Sequence, residues 1–449
     1  MPIAPFSMPR ALYSLLMWLL QPSVRAKLRR RAVQEPEYGQ HIEERFGVYG
    51  TGPAPRGDGS FFVWVHAVSL GETRAAASLV DALRTVLPGM RLLLTHGTAT
   101  GRVAGQALLQ PGDVQVWQPW DTPATVQKFL NHFRPRVGLL VETEVWPNMV
   151  AACAARNMPL CLVNARMSEK SLKQSLRLAW LARPAYARLH AVWAQAAPDA
   201  LRLAALGAPV KGVMGNFKFD ATPDAAQLDQ GLAWRQALGR PVVAFANTRD
   251  GEEALFLQTL KQKVAIAPVT AHYDATKNIV NSTVQWLLIP RHPQRFDTVA
   301  ALCEAEGFTV SRRSQWTDGP QPADIWLGDS MGEMPVYYAL SDVALLGGSF
   351  ASLGGHNLIE ATASGCPVVM GPHTFNFAQA AELAVEAGAA FARPDMARAV
   401  AKALAMVQSA PDMQKAQAAC KALGSEHGGA ARRTALAVQE LLGQLAIDR

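Results

Sequence analysis

The sequence predicts an α/β protein made of two doubly wound, Rossmann-like domains that face a central cleft. Short apolar runs alternate with longer segments of helical pattern, and this alternation breaks once in mid-chain before it restarts. The runs are apolar throughout, as expected of parallel strands that helices cover on both faces. The length of 449 residues gives a soft prior of three domains, but two large ones fit equally well.

Each predicted strand is followed by a turn signal and then by a stretch compatible with a helix. The first set of runs is 61–68, 90–95, 137–141, 160–163, 191–194 and 210–214. The second set is 241–246, 286–289, 324–327, 343–346 and 367–370. Residues 221–239 break the rhythm between the sets, and the chain from Met396 onward is Ala-rich with a helical pattern. The polar, turn-rich stretch 264–284 has no assignment.

The domain division follows from these sets. We expect an N-terminal helix with its basic flank at 1–32, a first Rossmann-like domain at 33–220 and a second at 221–449. Whether the last helix crosses back to the first domain stays open. Ligands of such folds bind at the carboxyl ends of the strands, so the charged residues that follow each strand are the candidates for function.

Composition excludes several classes of protein. Apolar residues make up 49% of the chain and charged residues 18%, which excludes a disordered protein. Five scattered cysteines without C-x-x-C spacing exclude a disulfide scaffold and a zinc ribbon, and they fit a reducing cytosolic setting. The net charge of +7 indicates an anionic partner: nucleic acid, a membrane surface or a phosphorylated substrate.

The segment ALYSLLMWLL, residues 11–20, predicts a short apolar helix. Its ten residues span about 15 Å, roughly half a bilayer core, and its charges follow the apolar run, unlike those of a secretory signal. A leucine stripe at helical spacing comprises Leu12, Leu15, Leu16, Leu19 and Leu20. The basic flank comprises Arg25, Lys27, Arg29, Arg30 and Arg31. Two interpretations stay open: an interfacial helix with its basic residues on anionic headgroups, or a helix packed on its own domain.

Charged residues follow three predicted strands of the first domain. Glu72 stands where a carboxylate can act as a general base, although Ser69-x-x-Glu72 is equally the pattern of a capping box. Glu142 and Glu144 leave the run 137–141, where a surface loop explains them as well. Lys218 follows the last strand of the set and can neutralise charge on a leaving group, although a lone lysine is usually solvated.

The first two candidate segments of the second domain have features that are typical of an anion-binding site. Arg291 and His292 end a strand between prolines, and the planar arginine fork suits phosphate; a solvated loop is the alternative. The segment GDSMGEM, 328–334, follows a strand, and Ser330 is predicted to cap the next helix, whose free N–H groups bind anions. A structural capping box with Glu333 is the alternative there.

The segment 345–377 combines glycine pairs with Asn357 and Glu360. The pairs at 347–348 and 354–355 permit a ligand to approach the backbone closely. Asn357 and Glu360 are three residues apart, so we expect them to share a helix face and to hold ribose hydroxyls.

Read together, these segments resemble the Kdo transferases, the 3-deoxy-D-manno-octulosonic acid transferases of lipopolysaccharide synthesis. The resemblance covers about residues 11–377. The motifs occur in family order: HAVSLGET, ETEVWPN, NARMSEKS, GNFKFD, PRHPQRF, MGE, GGHNLIE and GPHTFNF. The sequence departs from the family in a longer stretch between 253 and 290, in Leu-Ile-Glu after GGHN, and in the uncharged loop before it. None of these departures removes a proposed catalytic residue.

The resemblance implies a GT-B fold and an inverting transfer of Kdo from CMP-Kdo to the lipid A precursor, lipid IVA, without metal or other cofactor. It implies that Glu72 is the general base and that Glu142 and Lys218 stabilise the transition state. The residues that match the CMP-binding segments are Arg291, His292, Met331, Gly332, Glu333, Gly355, Asn357 and Glu360. The implied place is the cytoplasmic face of the bacterial inner membrane, where the N-terminal helix anchors the enzyme.

Two other functions stay open at this level. One is a sugar-nucleotide epimerase on the same fold, which would take a uridine nucleotide. The other is a non-catalytic, membrane-bound module that binds nucleotide or lipid. Nucleic-acid binding is disfavoured, because the basic residues accompany no aromatic platform or recognition motif.

Overall fold

A computed structural model describes residues 8–50, 59–220, 222–264 and 284–447. The chain forms two compact units. The first unit comprises Met1–Asp220 with Gly428–Arg449, and the second unit is Ala221–His427. The predicted division at 220/221 coincides with the boundary between the units, while the last helix belongs with the first unit. The stretch 264–284 that has no assignment from sequence lies, from 265 to 283, outside the described residues.

The first unit is built on a parallel seven-stranded sheet. Its strands are β1 Phe61–His66, β2 Met90–His96, β3 Val114–Trp117, β4 Val137–Val141, β5 Leu160–Ala165, β6 Ala191–Ala194 and β7 Val210–Val213. They lie in the order β3-β2-β1-β4-β5-β6-β7. The helices are α1 Met8–Arg31, α2 Leu70–Val86, α3 Ala99–Gly105, α4 Pro123–Phe133, α5 Pro147–Ala154, α6 Glu169–Arg177, α7 Ala179–Ala187 and α8 Ala197–Ala205.

The second unit repeats this plan with one strand displaced. Its strands are β8 Val242–Thr248, β9 Gln285–Pro290, β10 Val310–Arg312, β11 Ile325–Leu327, β12 Val343–Leu346, β13 Val368–Met370 and β14 Ala390–Ala392. They lie in the order β10-β11-β9-β8-β12-β13-β14. The helices are α9 Ala225–Leu238, α10 Glu252–Val264, α11 Phe296–Ala305, α12 Met334–Leu340, α13 Ile359–Ala363, α14 Ala378–Ala387, α15 Met396–Gln408 and α16 Ala410–His427; the last helix of the chain is α17 Ala430–Ile447.

Apolar side chains project from both faces of the first sheet and are buried there, which explains the uniformly apolar runs. Val63 and Val65 of β1 pack into one cluster with α2 and α17. Phe62 and Trp64 of the same strand pack into the opposite cluster with α4 and α5. Because successive side chains of a strand point to opposite faces, burial on both faces requires an unbroken apolar run.

Every predicted strand is present, but three short strands at the edges of the sheets have no counterpart in the prediction. β3 and β10 contain polar residues, with sequences VQVW and VSR, and β14 reads Ala-Phe-Ala within an alanine-rich stretch. Such runs of three or four residues carry little hydrophobic signal, and neighbouring strands decide their conformation.

Helix α17 is anchored in the first unit. Ala435 and Val438 join the core cluster beside Leu79 and Leu83 of α2. The carboxylate of Asp220 accepts hydrogen bonds from the backbone N–H groups at the start of this helix, at 3.2 Å from Ala430 and 2.6 Å from Ala431. A carboxylate at a helix N-terminus satisfies N–H groups that have no partner within the helix.

Helix α1 extends further than the apolar segment that predicts it, and it contains Pro22. All five residues of the leucine stripe are exposed, with Leu12 at 64%. The helix packs on its own unit through Tyr13 and Ser14, as one of the two interpretations expects, but the leucine stripe takes no part in that packing. Among the described residues, no helix combines the length and apolar character needed to cross a membrane.

Candidate active site

The candidate catalytic residues of the first unit lie at the point where its strand order reverses. β1 and β4 are neighbours in the sheet, yet the connections from them run in opposite directions along it. Open α/β sheets bind ligands at this switch point, outside the carboxyl ends of the strands. Glu72 lies in the first turn of α2, after β1, and Glu142 follows β4 directly.

Glu72 is held by the residues that precede α2. Its carboxylate accepts a hydrogen bond from the backbone N–H of Val68 at 2.7 Å and another from the hydroxyl of Ser69 at 3.0 Å. Ser69 in turn accepts from the N–H of Glu72 at 3.4 Å, so a variant of the predicted capping box forms, in which the carboxylate takes the N–H of Val68 rather than that of the N-cap residue Ser69. Burial raises the pKa of Glu72 to about 7, and the Glu142 and Glu144 carboxylates add to this against the two hydrogen bonds. The capping box and a base-like pKa therefore coexist in one residue.

Glu142 forms an ion pair with Lys218. Its carboxylate lies 3.4 Å from the Lys218 ammonium, and both side chains are largely buried. Glu142 has a φ of 66°, in the left-handed region that non-glycine residues seldom adopt. Such strained backbone persists where surrounding contacts enforce it, and it is concentrated at functional sites.

Asn164 supports this pair from β5. Its side-chain oxygen accepts a hydrogen bond from the backbone N–H of Phe217 at 3.1 Å, next to Lys218. Its side-chain nitrogen is buried and has no hydrogen-bond partner among the described residues. The structure thus brings together the three predicted catalytic residues of the first unit, and it adds an amide from the NARMSEKS segment that sequence reasoning assigned no role.

The second unit gathers cations at its own switch point, between β8 and β12. Arg291 follows β9, Arg249 follows β8, and their charges act on His292 and His356. Burial, aided by both arginines, lowers the pKa of His356 to about 4. Burial first, and then the neighbouring arginines, also lower the pKa of His292. A site with two permanent cations and two neutral imidazoles can bind an anion such as a phosphate.

Glycines allow the loop after β12 to pass close to β8. A Cβ atom on Gly347 would lie 2.2 Å from the carbonyl oxygen of Asn247, a distance that excludes any side chain. The carboxylate of Glu252 accepts hydrogen bonds from the N–H groups of Gly348 at 2.7 Å and Phe350 at 3.2 Å. This buried carboxylate fixes the loop that leads to Gly355, which has a φ of 71°.

Asn357 and Glu360 are in contact, but not as the spacing predicts. Helix α13 begins at Ile359, so Asn357 precedes the helix rather than sharing its face. Its side-chain nitrogen donates to Glu360 at 3.2 Å, and its oxygen accepts from the N–H of Ile359 at 3.2 Å. The pair still presents a carboxylate and an amide side by side.

The segment Met331–Glu333 is placed differently from its prediction. Helix α12 begins at Met334 with Glu333 before it, so Ser330 is not the N-cap. The hydroxyl of Ser330 contacts the carboxylate of Glu333 instead, and Glu333 pairs with Arg313 at 2.8 Å. Met331 and Gly332 are exposed after β11, at the same edge of the sheet as Arg291.

Sequence reasoning missed three residues of this second site: Arg249, Glu252 and His356. Arg249 and Glu252 come just after β8, where the strand-end rule that found Glu72 points as well. His356 lies inside GGHNLIE, between two residues that were selected. Its candidate role depends on the charge of Arg291, which is 65 positions away in the numbering and acts on His356 only because folding brings the two near each other.

Comparison of the sequence with known proteins finds one family of transferases. A profile of the 3-Deoxy-D-manno-octulosonic-acid transferase (kdotransferase) family matches residues 40–221. The 3-deoxy-D-manno-octulosonic acid transferase of Bordetella pertussis is 46% identical over 444 residues, which are 97% of this chain and 100% of that protein.

Structural comparison defines the architecture. The crystal structure of UDP-GlcNAc 2-epimerase from Neisseria meningitidis has a TM-score of 0.55 and 13% identity, covering 85% of this chain and 99% of that one. A glycosyltransferase from Rickettsia africae has a TM-score of 0.53 and 12% identity, covering 86% and 99%. These likenesses show the fold alone. The two parallel sheets and these neighbours define the fold class, which is the GT-B type.

Within that class the near full-length relative decides the family. The chain belongs to the 3-deoxy-D-manno-octulosonic acid (Kdo) transferase family.

Proposed function

We propose that this enzyme transfers Kdo from CMP-Kdo to the lipid A precursor, lipid IVA, with inversion at the anomeric carbon. The observation that carries the chemistry is the Glu72 carboxylate, whose pKa of about 7 suits a general base at neutral pH. Glu72 takes the proton of an acceptor hydroxyl while that oxygen bonds to the anomeric carbon. The bond from this carbon to the phosphate oxygen breaks, and CMP leaves with the bonding electrons.

The Glu142–Lys218 pair supplies opposite charges for the transition state. Glycosyl transfer develops positive charge at the anomeric carbon, which a carboxylate stabilises. The transferred sugar is itself a carboxylic acid, and Lys218 is a cation suited to that group or to the leaving phosphate. Because the two side chains already form an ion pair at 3.4 Å, little reorganisation is needed when substrate arrives.

The second unit is proposed to bind the CMP portion. Arg291 and His292, supported by Arg249 and His356, face a single phosphate in this proposal. The adjoining carboxylate and amide of Glu360 and Asn357 suit ribose hydroxyls. Met331, Gly332, Glu333 and Gly355 complete the proposed nucleotide site. No metal is required by the proposal, since permanent cations carry the leaving-group charge.

Membrane attachment is proposed to come from α1. The exposed leucines lie ahead of the cluster of arginines, which matches an apolar face in lipid with basic residues on anionic headgroups. Helix α7 contacts α1, and near it Leu178 and Trp180 are also exposed, at 52% and 47%. The expected place is the cytoplasmic face of the bacterial inner membrane.

A transfer assay tests the proposal. Purified full-length protein is incubated with CMP-Kdo and lipid IVA, and the mass of the lipid product is measured by mass spectrometry. A mass increase of one or more Kdo residues with release of CMP is expected. In parallel, thermal shift compares CMP with UDP: stabilisation by CMP supports the proposal. Stabilisation by UDP alone, with no product, contradicts it and favours the epimerase.

A further inference from the structure

Helix α1 has two chemically different sides. The side away from the protein is apolar and exposed, whereas Tyr13 and Ser14 face the first unit. Ser14 is only 9% exposed. A purely lipid-binding helix has no need of hydroxyl groups on its protein-facing side, because burying them without partners costs free energy.

Both hydroxyls are bonded to residues far along the chain. The Tyr13 hydroxyl donates to the Asp121 carboxylate at 3.0 Å. The Ser14 hydroxyl shares its proton between the side-chain oxygen of Asn148 at 3.0 Å and the backbone carbonyl oxygen of Arg10, one turn earlier in α1, at 2.7 Å. The orientation of the Asn148 amide is fixed, because its nitrogen donates to the carbonyl oxygen of Asp121 at 2.8 Å. The indole N–H of Trp120 donates to the carbonyl oxygen of Met17 at 2.7 Å, which adds a third attachment.

Asp121 also caps the helix that follows the ETEVW segment. Its carboxylate accepts hydrogen bonds from the N–H groups of Asn148 at 3.0 Å and Met149 at 2.8 Å. Trp146, the residue before α5, offers no side-chain cap. One carboxylate, 2% exposed, therefore satisfies the start of α5 and holds α1 at the same time.

The loop that contains Glu142 connects β4 to this capped helix, α5. It runs from Glu142 to Trp146, and its first residue is bonded through its N–H to Val163 and through its carbonyl to Arg166. Its other end is set by the position of α5. Glu144, in the middle of the loop, is near enough to Tyr13 that its charge helps to raise the pKa of the Tyr13 hydroxyl.

We propose that α1 is a positioning element for the Glu142 loop: Tyr13 and Ser14, through Asp121 and Asn148, fix the start of α5 and with it the placement of Glu142. We call these four residues the α1 latch. The inference rests on the proposed role of Glu142 in transfer. It assigns α1 a part in turnover that is separate from membrane attachment.

The test uses the full-length double variant Tyr13→Phe/Ser14→Ala, which removes both hydroxyls and leaves the exposed leucines intact. Turnover is measured on a short-chain, water-soluble acceptor without vesicles, so that attachment to a membrane cannot affect the rate. A misplaced catalytic group costs up to about 100-fold, so we expect kcat to fall by about tenfold. The affinity for CMP and flotation with vesicles containing anionic phospholipid are expected to stay unchanged.

Tyr49→Phe is the matched control. It removes a buried tyrosine hydroxyl of the same unit that has no hydrogen-bond partner among the described residues, so kcat is expected to remain at the wild-type value. Wild-type kcat in the double variant overturns the proposal. An equal loss of kcat in Tyr49→Phe overturns it too, because the effect is then general destabilisation.

Hydrogen exchange separates this inference from the proposed function. In the double variant, amides of 142–149 are expected to exchange faster than in wild type, while those of β1 do not change. Unchanged exchange at 142–149 overturns the latch whatever the reaction. If the wild-type protein transfers no Kdo but the double variant still exchanges faster at 142–149, the proposed function is refuted, whereas the inference that the α1 latch holds the Glu142 loop stands.

Discussion

The two units share one plan of strands and carry opposite chemistry at the same place in it. At the switch point of the first unit, Glu72, Glu142 and Glu144 lie close enough for their charges to interact, with Lys218 as the cation. At the switch point of the second unit, Arg249 and Arg291 act on two histidines. The fold therefore supplies the position of a site, and the residues placed there decide what the site can do.

Burial acts on both sites in the same physical sense. It disfavours the charged form, so it raises the pKa of Glu72 and lowers the pKa of His356. In the first unit this produces a carboxylate that can accept a proton near pH 7. In the second unit it leaves the histidines neutral and the arginines as the permanent charges, which suits binding of an anion without proton transfer.

The largest expected effect breaks the first site. Glu72→Gln keeps the size of the side chain and one acceptor but removes the base, so transfer is expected to fall by about 1,000-fold. CMP binding, measured by calorimetry, should persist, because the change lies in the other unit. Glu440→Gln, an exposed change on α17, is the matched control and should leave the rate unaltered. Near-normal turnover by Glu72→Gln would remove this residue from the role of base.

A smaller effect is expected in the second site. Arg291→Ala removes a cation from the phosphate-binding group, and hydrogen bonds to charged groups are worth about 1.5–3 kcal/mol. The KM for CMP-Kdo and the Kd of CMP should therefore rise by about 10- to 100-fold, with a smaller change in kcat. Arg398→Ala, which alters an exposed pair with Asp395, is the control. An unchanged Kd for CMP would place the phosphate elsewhere.

The pH profile distinguishes the two sites. The base must be deprotonated, so kcat/KM should rise with pH through about 7 and then level off, following Glu72. The Arg291→Ala variant should show the same rise of kcat/KM with pH, since this rise reports Glu72, which lies in the other unit. A profile that is flat between pH 5 and 8 contradicts the assignment.

The same pKa makes a prediction about stability. The native state holds the Glu72 proton more tightly than the unfolded state, because the pKa of Glu72 is raised from 4.5 to about 7. Protonation of Glu72 therefore stabilises the fold fully below pH 4.5, and this stabilisation is lost as the pH rises through about 7. The loss is at most about 3 kcal/mol. Glu72→Gln should therefore unfold at a higher temperature than wild type at pH 8, and scanning calorimetry at pH 5 should find a smaller difference.

The smallest effect concerns metal. Because the proposed leaving-group cations are arginines, transfer in the presence of EDTA is expected to proceed at the untreated rate. Restoration by Mg²⁺ of activity lost to EDTA would show that a metal shares this work. A mock treatment without chelator, carried through the same desalting, serves as the control.

The sequence predicted the long buried strands and most of the residues of the candidate site, for a local reason. Buried parallel strands need unbroken apolar runs, and functional residues follow their ends, so Glu72, Glu142 and Arg291 could be found one strand at a time. Short strands such as β10 could not be found, because pairing with β11 rather than composition makes them extended. Ser330 was wrongly assigned as an N-cap because helix boundaries depend on backbone geometry that the capping pattern does not determine.

The sequence by itself determined the two-domain α/β plan, the strand ends and the candidate residues, because these depend on local apolar periodicity and chain order. Only the tertiary structure decided which residues meet. The Glu142–Lys218 pair, the pKa of Glu72 and the α1 latch each join residues or environments that are distant along the chain. Their energetics depend on separation and burial, which the folded packing alone sets. The folded packing also decided that the leucine stripe of α1 faces outward, while Tyr13 and Ser14 bind the first unit.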